Sequence, residues 1–509
     1  MPNLATAGIA ASILSAILSF MSETAPTALP PGPPLPPLVQ AALRMSPYYP
    51  RFSAACRRRY GSAVTWRIAW VGTAVQLSDP ADIKALFAGD PTIYHAGEAN
   101  SFLTGIVGQS SMLVSDEDVH RDRRRLMLAP FRPEAVARQA GVMAEIAAAN
   151  IAKWPVGVEF PAAPRMAEIT LEVILRTVVG ATDPARLAAL RQALERLTKM
   201  GSFAALSILL PELQRHRPWR GVRRCIEEIE RLLYAEIAER RAEPNLAART
   251  DALALLVRAA DDDGRTMTDT ELRDQLMTLL VAGHDTTTTA LSWALERLVR
   301  HPAVLAKAVA AAEASAAGDP AGDEYLDALV KETLRIRPVV WEAGRVLTRP
   351  ADVAGYRLPA GVRVVASIGL VHTSAEQYPN PDRFDPDRML GATLTPTTWF
   401  PFGGGNRRCL GANFAMEEMH VVLREVLRRV ELSTTTAADE RPKVRAGILV
   451  PYRGARIRVR AIRNATSASP LGTHTATCPV TPNTTPVSTA SAQCVAGSNF
   501  ESVEEPTGR

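Results

Sequence analysis

Apolar residues recur at three- and four-residue intervals through much of this 509-residue chain. This spacing predicts amphipathic helices, because it places the apolar side chains on one helical face. A two-residue alternation, which is typical of strands, is confined to residues 63–78 and 353–368. No internal repeat is present. The pattern therefore predicts one large, mainly α domain with small β sheets. The clearest helical stretches are residues 193–202, 223–242, 251–260 and 419–432.

Both ends of the chain differ in character from the middle. Residues 1–25 form an apolar extension that lacks the basic start of a signal peptide and is shorter than a membrane span. A proline-rich stretch at 26–37 predicts polyproline II leading into the folded part. Residues 464–509 are rich in Ser, Thr and Pro, and we expect them to be disordered. The predicted domain is residues 26–463, and peripheral membrane association through the extension stays open.

Composition excludes several classes of protein. Hydrophobic residues make up 47% of the chain, which is enough for a substantial core. The net charge of +5 is spread along the chain rather than gathered in a basic arm, so nucleic acid is not an expected partner. Five cysteines without a Cys-x-x-Cys pair argue against a disulfide framework, a zinc ribbon and an iron–sulfur cluster. We therefore expect a reducing, cytoplasmic location.

The longest predicted helix has an unusual centre. It begins at Thr268 and Glu271, which have capping-box spacing, and it ends near His301-Pro302. Its middle reads AGHDTTTT, and both Gly and β-branched Thr are poor helix formers. Two interpretations are open. The threonine hydroxyls bond back to the preceding turn, or the helix opens locally and presents polar groups to a cavity.

A second unusual stretch, FPFGGGNRRCLGANF, surrounds Cys409 with glycines and arginines. It lacks the Lys-Ser/Thr of a phosphate loop and the third glycine of a dinucleotide fingerprint. A cysteine nucleophile with a distant histidine base stays possible. A metal-bound thiolate explains more residues, because the amphipathic segment after Cys409 puts it at a helix N-terminus, which favours S⁻. Gly403 and the two glycines after it let a flat ligand approach, Gly411 clears space beside the sulfur, and Arg407 offers a partner for an acidic group. Haem b is a ligand of that description.

The same stretch resembles the Phe-x-x-Gly-x-Arg-x-Cys-x-Gly signature of the cytochrome P450 family, in which a cysteine thiolate holds haem iron. The resemblance covers roughly residues 30–460, and it implies the P450 fold in a single large domain. Four further motifs agree with the family in order and spacing: HRDRR, AGHDTT, KETLR and PDRF.

The resemblance implies a role for each matching residue. Cys409 becomes the axial ligand of haem iron, and Thr286 and Asp285 deliver protons for dioxygen reduction. Ala282 and Gly283 are small where a bulky side chain would cover the haem. His284 is expected to pack rather than bind iron. The remaining haem-binding candidates are His120, Arg124, Arg345 and Arg407 for the propionates, and Phe402, Gly403 and Gly411 beside the cysteine.

Three charged residues are implied to be structural. Glu332 and Arg335 share a helix face, and Arg383 arrives from a loop to complete a buried network. Nearby, Trp341 or Glu342 is a candidate for orienting a substrate, although Glu342 has Arg345 as an alternative partner. The pocket-lining segments implied by the resemblance are mostly apolar: residues 102–107, 203–210, 339–343 and 448–450.

The implied activity is that of a soluble bacterial-type haem-thiolate monooxygenase, which inserts one atom of dioxygen into an apolar substrate. No flavin or iron–sulfur segment is present, so electrons from NAD(P)H are expected through a ferredoxin reductase and a ferredoxin. Two alternatives stay open: a peroxide-driven or non-oxygenating haem enzyme, and a haem-dependent binding protein without turnover. The residues expected to form a basic face for an acidic ferredoxin are Arg121, Arg123, Arg125 and Arg408.

Overall fold

The computed structural model describes residues 29–199, 207, 213, 215–216, 219–261 and 264–463. The predicted extension at 1–25, the predicted tail at 464–509 and most of the 203–210 segment lie outside the described residues. In the part of the chain that is described, no helix combines the length and apolarity needed to span a bilayer.

Helices account for most of the fold, as the hydrophobic pattern predicts. Irregular or tighter turns connect several of them, including a π-helical turn at Leu175–Val179 and 3₁₀ turns at Met112–Val114, Pro386–Met389 and Gly405–Arg407. The α-helices are α1 (Pro37–Arg44), α2 (Tyr49–Tyr60), α3 (Pro80–Ala88), α4 (Ala96–Ala99), α5 (Thr104–Val107), α6 (Glu117–Met127), α7 (Pro133–Ala137), α8 (Ala140–Ile151), α9 (Ala163–Ile174), α10 (Pro184–Lys199), α11 (Arg220–Arg241), α12 (Ala252–Arg258), α13 (Asp269–Leu298), α14 (Pro302–Ala316), α15 (Pro320–Ile336), α16 (Ile368–His372) and α17 (Ala412–Arg429).

The strands are short and form small sheets. The largest sheet has the order β1-β2-β8-β5-β3, in which β2 and β8 run parallel and the other neighbours run antiparallel. Smaller sheets are β4-β12-β9, β10-β11 and β6-β7. The strands are β1 (Ala63–Ile68), β2 (Gly72–Leu77), β3 (Tyr94–His95), β4 (Glu159–Pro161), β5 (Glu342–Leu347), β6 (Ala351–Val353), β7 (Tyr356–Leu358), β8 (Arg363–Ser367), β9 (Val430–Leu432), β10 (Pro442–Arg445), β11 (Ile448–Pro451) and β12 (Arg456–Ile462).

Two predicted boundaries change in the structure. The helix expected through residue 432 ends at Arg429, because Val430 pairs with Ile462 and continues as β9. Part of the proline-rich lead-in packs against a strand, since the carbonyl of Pro30 accepts a hydrogen bond from Thr65 Oγ1 at 2.6 Å. The first helix of the described residues begins at Pro37, a position where proline is favoured because its missing N–H is not needed.

The central element is α13, which packs against α9, α11, α15 and α17. Its predicted capping box is confirmed: Thr268 Oγ1 accepts from the Glu271 N–H, and the Glu271 carboxylate accepts from the Thr268 N–H. The helix is continuous through its threonine tract. Thr286 and Thr289 donate to carbonyl oxygens four residues earlier, at 2.7 Å each. Back-bonding is therefore the interpretation that the structure supports, and the helix does not open.

Candidate active site

The Cys409 loop is fixed by backbone hydrogen bonds at both ends. The Cys409 N–H donates to the carbonyl of Phe402 at 2.9 Å, and the Gly403 N–H donates to the carbonyl of Phe400 at 2.9 Å. Phe402 packs its ring edge-on to Trp399. Gly411 follows the cysteine by two residues and is the N-cap of α17. The cysteine therefore precedes a long helix, as predicted.

Cys409 lies deep in the protein, yet its side chain is accessible to solvent. Burial raises the pKa of the thiol, and the opposing effects of the Gly411 N–H, Arg408 and Arg124 do not outweigh it. The N–H at the helix start lowers this pKa as expected, but desolvation of the thiolate is the larger effect, so the net shift is upward. A deep but accessible sulfur lines an opening inside the fold.

The glycines of the cysteine loop mainly allow the loop to pack closely against its neighbours. A Cβ on Gly404 would lie 2.3 Å from the ring of Phe87, and one on Gly405 would lie 2.1 Å from the Phe87 carbonyl oxygen. Gly403 and Gly405 also adopt positive φ values of 69° and 66°. Gly404 and Gly405 therefore let the cysteine loop approach α3 closely. Gly411 is different, since a Cβ there would meet no atom within 4 Å.

One stretch of α13 faces open space although the helix crosses the core. Every residue from 287 to 298 is buried, whereas Ala282 is exposed and Leu279, Gly283 and Thr286 are half-buried. These four positions share one face by their three- and four-residue spacing. A Cβ on Gly283 would come within 2.8 Å of Ile174 Cδ1, the end of a flexible side chain, so Gly283 faces α9. Ala282 and Thr286 are the small groups that border the opening.

The two polar neighbours of this face point to different partners. Asp285 forms an ion pair with Arg445 of β10, with 3.1 Å between Oδ1 and Nη2. His284 is buried and its Nδ1 lies 2.8 Å from Thr170 Oγ1. Burial lowers the pKa of His284, so the ring is a neutral packing group. His284 is thus engaged with α9, in agreement with its expected packing role.

The four predicted propionate ligands come together from α6, β5 and the cysteine loop. Burial, followed by the charges of Arg407 and Arg124, lowers the pKa of His120 to about 3. Burial and Arg407 lower the pKa of Arg345 to about 10. Arg407 pairs with Asp116, and its pKa is also lowered by burial to about 10. The cluster concentrates positive charge that disfavours further protonation.

This cluster fits an anionic cofactor. Within the described part of the chain, neither Arg124 nor Arg345 has a carboxylate partner. Arg345 donates to the carbonyls of Gly344 and Gly404, and its guanidinium lies over the ring of Phe87. Buried cations require a counter-charge. A flat ligand with two carboxylates would supply that counter-charge, and Cys409 would be its iron ligand. The residues present therefore fit haem b.

The predicted ion network beside the cysteine loop contains a different third member. Glu332 and Arg335 are fully buried and paired through two hydrogen bonds of 2.7 and 2.9 Å. The side chain of Arg383 is 71% exposed and lies 3.6 Å from Asp385, so its assignment to this network is wrong. Arg388 takes the place, with Nε 3.2 Å from Glu332 Oε1. Arg383 contributes only its backbone carbonyl, which accepts from Arg335.

His372 connects this network to the cysteine loop and was not predicted. Its carbonyl accepts from Arg335 Nη1 at 2.8 Å, and its Nε2 accepts from the Phe400 N–H at 3.0 Å. Burial and Arg335 lower the pKa of His372 to about 3, so the ring stays neutral and able to accept. A lone histidine 37 residues from Cys409 carries no motif, and only the fold reveals the connection.

Two further expectations are corrected by the contacts. Glu342 does not pair with Arg345, because its carboxylate is held by Arg44, Tyr49 and Gln76. These partners come from α1, α2 and β2, and they occupy both carboxylate oxygens. Arg123 turns inward to donate to Ser115 and is not part of an exposed basic face.

The remaining residues of the expected basic face are mixed with acids. Arg121 pairs with Asp118 at 2.7 Å on the exposed side of α6. Arg408 is exposed beside the cysteine. The basic character of this face therefore rests on fewer arginines than the sequence suggests.

Comparison with known proteins decides the family. The cytochrome P450 family model matches residues 30–459. The chain is 66% identical over 459 residues to the putative cytochrome P450 135B1 of Mycobacterium tuberculosis, which covers 90% of this chain and 97% of that protein. This chain belongs to the cytochrome P450 family. It is therefore a P450 monooxygenase, an oxidoreductase that binds haem b through a cysteine thiolate.

Other similar proteins support the assignment of this P450 to its family and fold. The putative cytochrome P450 135A1 of Mycobacterium tuberculosis is 38% identical over 86% of this chain and 97% of its own. The crystal structure of the cytochrome P450DA heme domain superposes with a TM-score of 0.74 at 26% identity, over 86% of this chain and 98% of that one. A retinoic acid bound cyanobacterial CYP120A1 also gives 0.74 at 22% identity, over 86% and 100%, which supports the fold alone. The predicted fold class is confirmed.

Proposed function

We propose that this P450 hydroxylates an apolar organic molecule, with Cys409 as the iron ligand and electrons from an external ferredoxin. The observations that carry the proposal are an accessible Cys409 just before α17 and two small groups on α13, the exposed Ala282 and the half-buried Thr286, since α13 packs against α17. When bound, haem supplies the activation of dioxygen that amino acid side chains cannot provide. The described residues supply the ligand, the charges and the protons.

The cationic cluster would fix the cofactor's orientation. Arg124 and Arg345 have no carboxylate partner among the described residues, so each can pair with a propionate. His120 offers a neutral N–H donor, since its pKa is lowered to about 3. Arg407 keeps Asp116 as a partner and can share its remaining N–H groups.

Proton delivery would begin at Asp285 and pass through Thr286. The Thr286 hydroxyl donates to the Ala282 carbonyl at 2.7 Å, and its oxygen can still accept a hydrogen bond from water. The ion pair with Arg445 holds the Asp285 carboxylate in place beside Thr286. A hydroxyl and a carboxylate on successive residues beside an opening supply the parts of a relay.

The surroundings favour a ferredoxin partner in the cytoplasm. Arg408 is exposed immediately before the cysteine, where a positive charge would attract an acidic ferredoxin. The pocket-lining segments at 102–107, 339–343 and 448–450 are mostly apolar, which suits a hydrophobic substrate.

The test is spectroscopic and then catalytic. The reduced protein with carbon monoxide should show the red-shifted Soret band of thiolate-bound haem, and Cys409→Ser should not show it. Compounds that displace iron-bound water in a spectral titration are then assayed with ferredoxin, its reductase and NAD(P)H. Product formed with matching oxygen consumption supports the proposal. A wild-type protein without the shifted band after haem supplementation would refute it.

A further inference from the structure

The segment between α5 and α6 is attached to α13 by an array of buried side chains. Asp274 Oδ2 accepts from the Ser110 N–H at 2.7 Å. Gln275 binds the same segment twice, donating to the Ser110 carbonyl at 2.5 Å and accepting from the Met112 N–H at 3.0 Å. Three polar groups of the loop backbone, two on Ser110 and one on Met112, are thus satisfied by two helical side chains.

A third helical residue completes the contact. Thr278 Oγ1 lies 2.6 Å from Ser111 Oγ, and Thr278 also donates to the carbonyl of Asp274 one turn earlier. Asp274, Gln275 and Thr278 are at most 4% exposed. Hydrogen bonds inside such a low-dielectric contact are costly to lose, because no water replaces them.

The loop backbone is shaped to fit this array. Gly108 has φ of 84°, and a Cβ there would lie 2.1 Å from Asp274 Oδ1. Only glycine permits both the left-handed conformation and the close approach. Met112 packs on the apolar cluster that contains Leu280, and Leu410, the residue after Cys409, packs on the same cluster.

The same segment reaches the cysteine loop. Its Met112 carbonyl accepts from Arg407 Nη1 at 3.5 Å, and Asp116, four residues later, forms an ion pair with Arg407. Asp116 is itself positioned by the N–H groups of Gly97 and Glu98, at 2.8 Å each. Moving the segment would therefore move the partner of a candidate propionate ligand.

We infer that Asp274, Gln275 and Thr278 are positioning residues, which hold segment 108–112 in its binding-competent place before any substrate arrives. This inference rests on the proposed function, which assigns the preceding residues 102–107 to the substrate pocket and Arg407, which the segment contacts, to the haem. A mobile segment loses conformational entropy when a ligand orders it, and this loss weakens binding. A preorganised segment avoids that loss. The three residues act through the segment and do not contact the reacting atoms.

The first arm of the test measures the segment itself in the haem-loaded enzyme. Gln275→Leu removes two hydrogen bonds at similar volume, and we expect amide hydrogen exchange at Met112, whose N–H loses its acceptor, to become about 10-fold faster or more. Asp274→Asn keeps an acceptor oxygen and should preserve the exchange protection of the Ser110 amide, whereas Asp274→Ala should not. Ser292→Ala is the control, because its hydroxyl bonds only within α13, to the Thr288 carbonyl.

The second arm measures ligand binding with two azoles of different reach. The Kd of 4-phenylimidazole should rise several-fold in Gln275→Leu, while that of imidazole, which touches little beyond the iron, should stay constant. Thr278→Val provides the same comparison if Gln275→Leu does not fold. Unchanged exchange, or an unchanged ratio of the two Kd values, would overturn the inference. Failure of the proposed function would show separately, as a missing red-shifted Soret band in the wild-type protein.

Discussion

The clearest prediction concerns which arginine supports the buried carboxylate of Glu332. Glu332 is fully buried and accepts from Arg335 twice, from the Asp385 N–H at 2.9 Å and from Arg388 Nε at 3.2 Å. Arg388→Ala removes one charged hydrogen bond of this set. Arg335 remains, so the cost falls below the roughly 3–5 kcal/mol of a buried charge that loses its only partner.

The magnitude follows from the contacts that Arg388 makes. A hydrogen bond to a charged group contributes about 1.5–3 kcal/mol. Arg388 also donates to the carbonyls of Pro379, Asn380 and Arg383 at 2.9–3.3 Å, which adds to the loss. We expect Arg388→Ala to lower the free energy of unfolding by about 2–3 kcal/mol. Arg383→Ala is the matched control, and its exposed ion pair is worth under about 1 kcal/mol.

Urea titration of the three haem-loaded proteins, followed by fluorescence and by Soret absorbance, checks this order. The haem content of the purified variants gives a second measure, because the network adjoins the cysteine loop through His372. Equal losses in Arg383→Ala and Arg388→Ala would show that the proposed third partner of Glu332 is wrong.

Three further predictions concern chemistry, pH and electron transfer. Thr286→Ala should lower product formation about 10-fold or more and divert reducing equivalents to hydrogen peroxide, while Thr286→Ser should retain coupling, as measured by product and peroxide yields. The pKa of His372 is lowered to about 3 in the fold, so the unfolded chain binds one more proton between about pH 3 and 6.5. Stability should therefore fall as the pH drops through this window, and His372→Gln should show a shallower slope in urea titrations across pH; an identical slope would exclude the histidine as its source. Arg408→Glu should slow reduction by ferredoxin at low salt but leave dithionite reduction unchanged, and equal ferredoxin rates in both proteins, followed by stopped flow, would remove Arg408 from the docking face.

Sequence spacing was sufficient wherever the partners lie within one helix. Glu332 and Arg335 are three residues apart in α15, and Thr268 and Glu271 are three apart at the start of α13, so helical geometry alone brings each pair together. The same reasoning predicted long helices from the apolar repeat. These are local consequences of backbone geometry, and the structure confirms them.

Partners that meet across the fold could not be found in this way. The choice between Arg383 and Arg388 depends on the 3₁₀ turn at Pro386–Met389, which directs the second arginine inward. Arg445 meets Asp285 from a strand 160 residues away. The sequence spacing of such residues does not indicate their distance in space. The motif therefore identified the first partner of each network, and only the fold identified the second.

The thiol of Cys409 illustrates how two correct principles can oppose each other. A helix terminus and nearby arginines favour the thiolate, as the loop sequence suggests. The fold surrounds the same sulfur with protein, and the desolvation that follows raises its pKa despite Arg408, Arg124 and the Gly411 N–H. Burial therefore opposes the thiolate more strongly than these groups favour it. A metal cation that coordinates the sulfur would shift this balance, because binding at a cation deprotonates a thiol outright. Ligand charge and cofactor binding are consequently linked at Cys409, and release of a proton on haem uptake near neutral pH is the physical consequence.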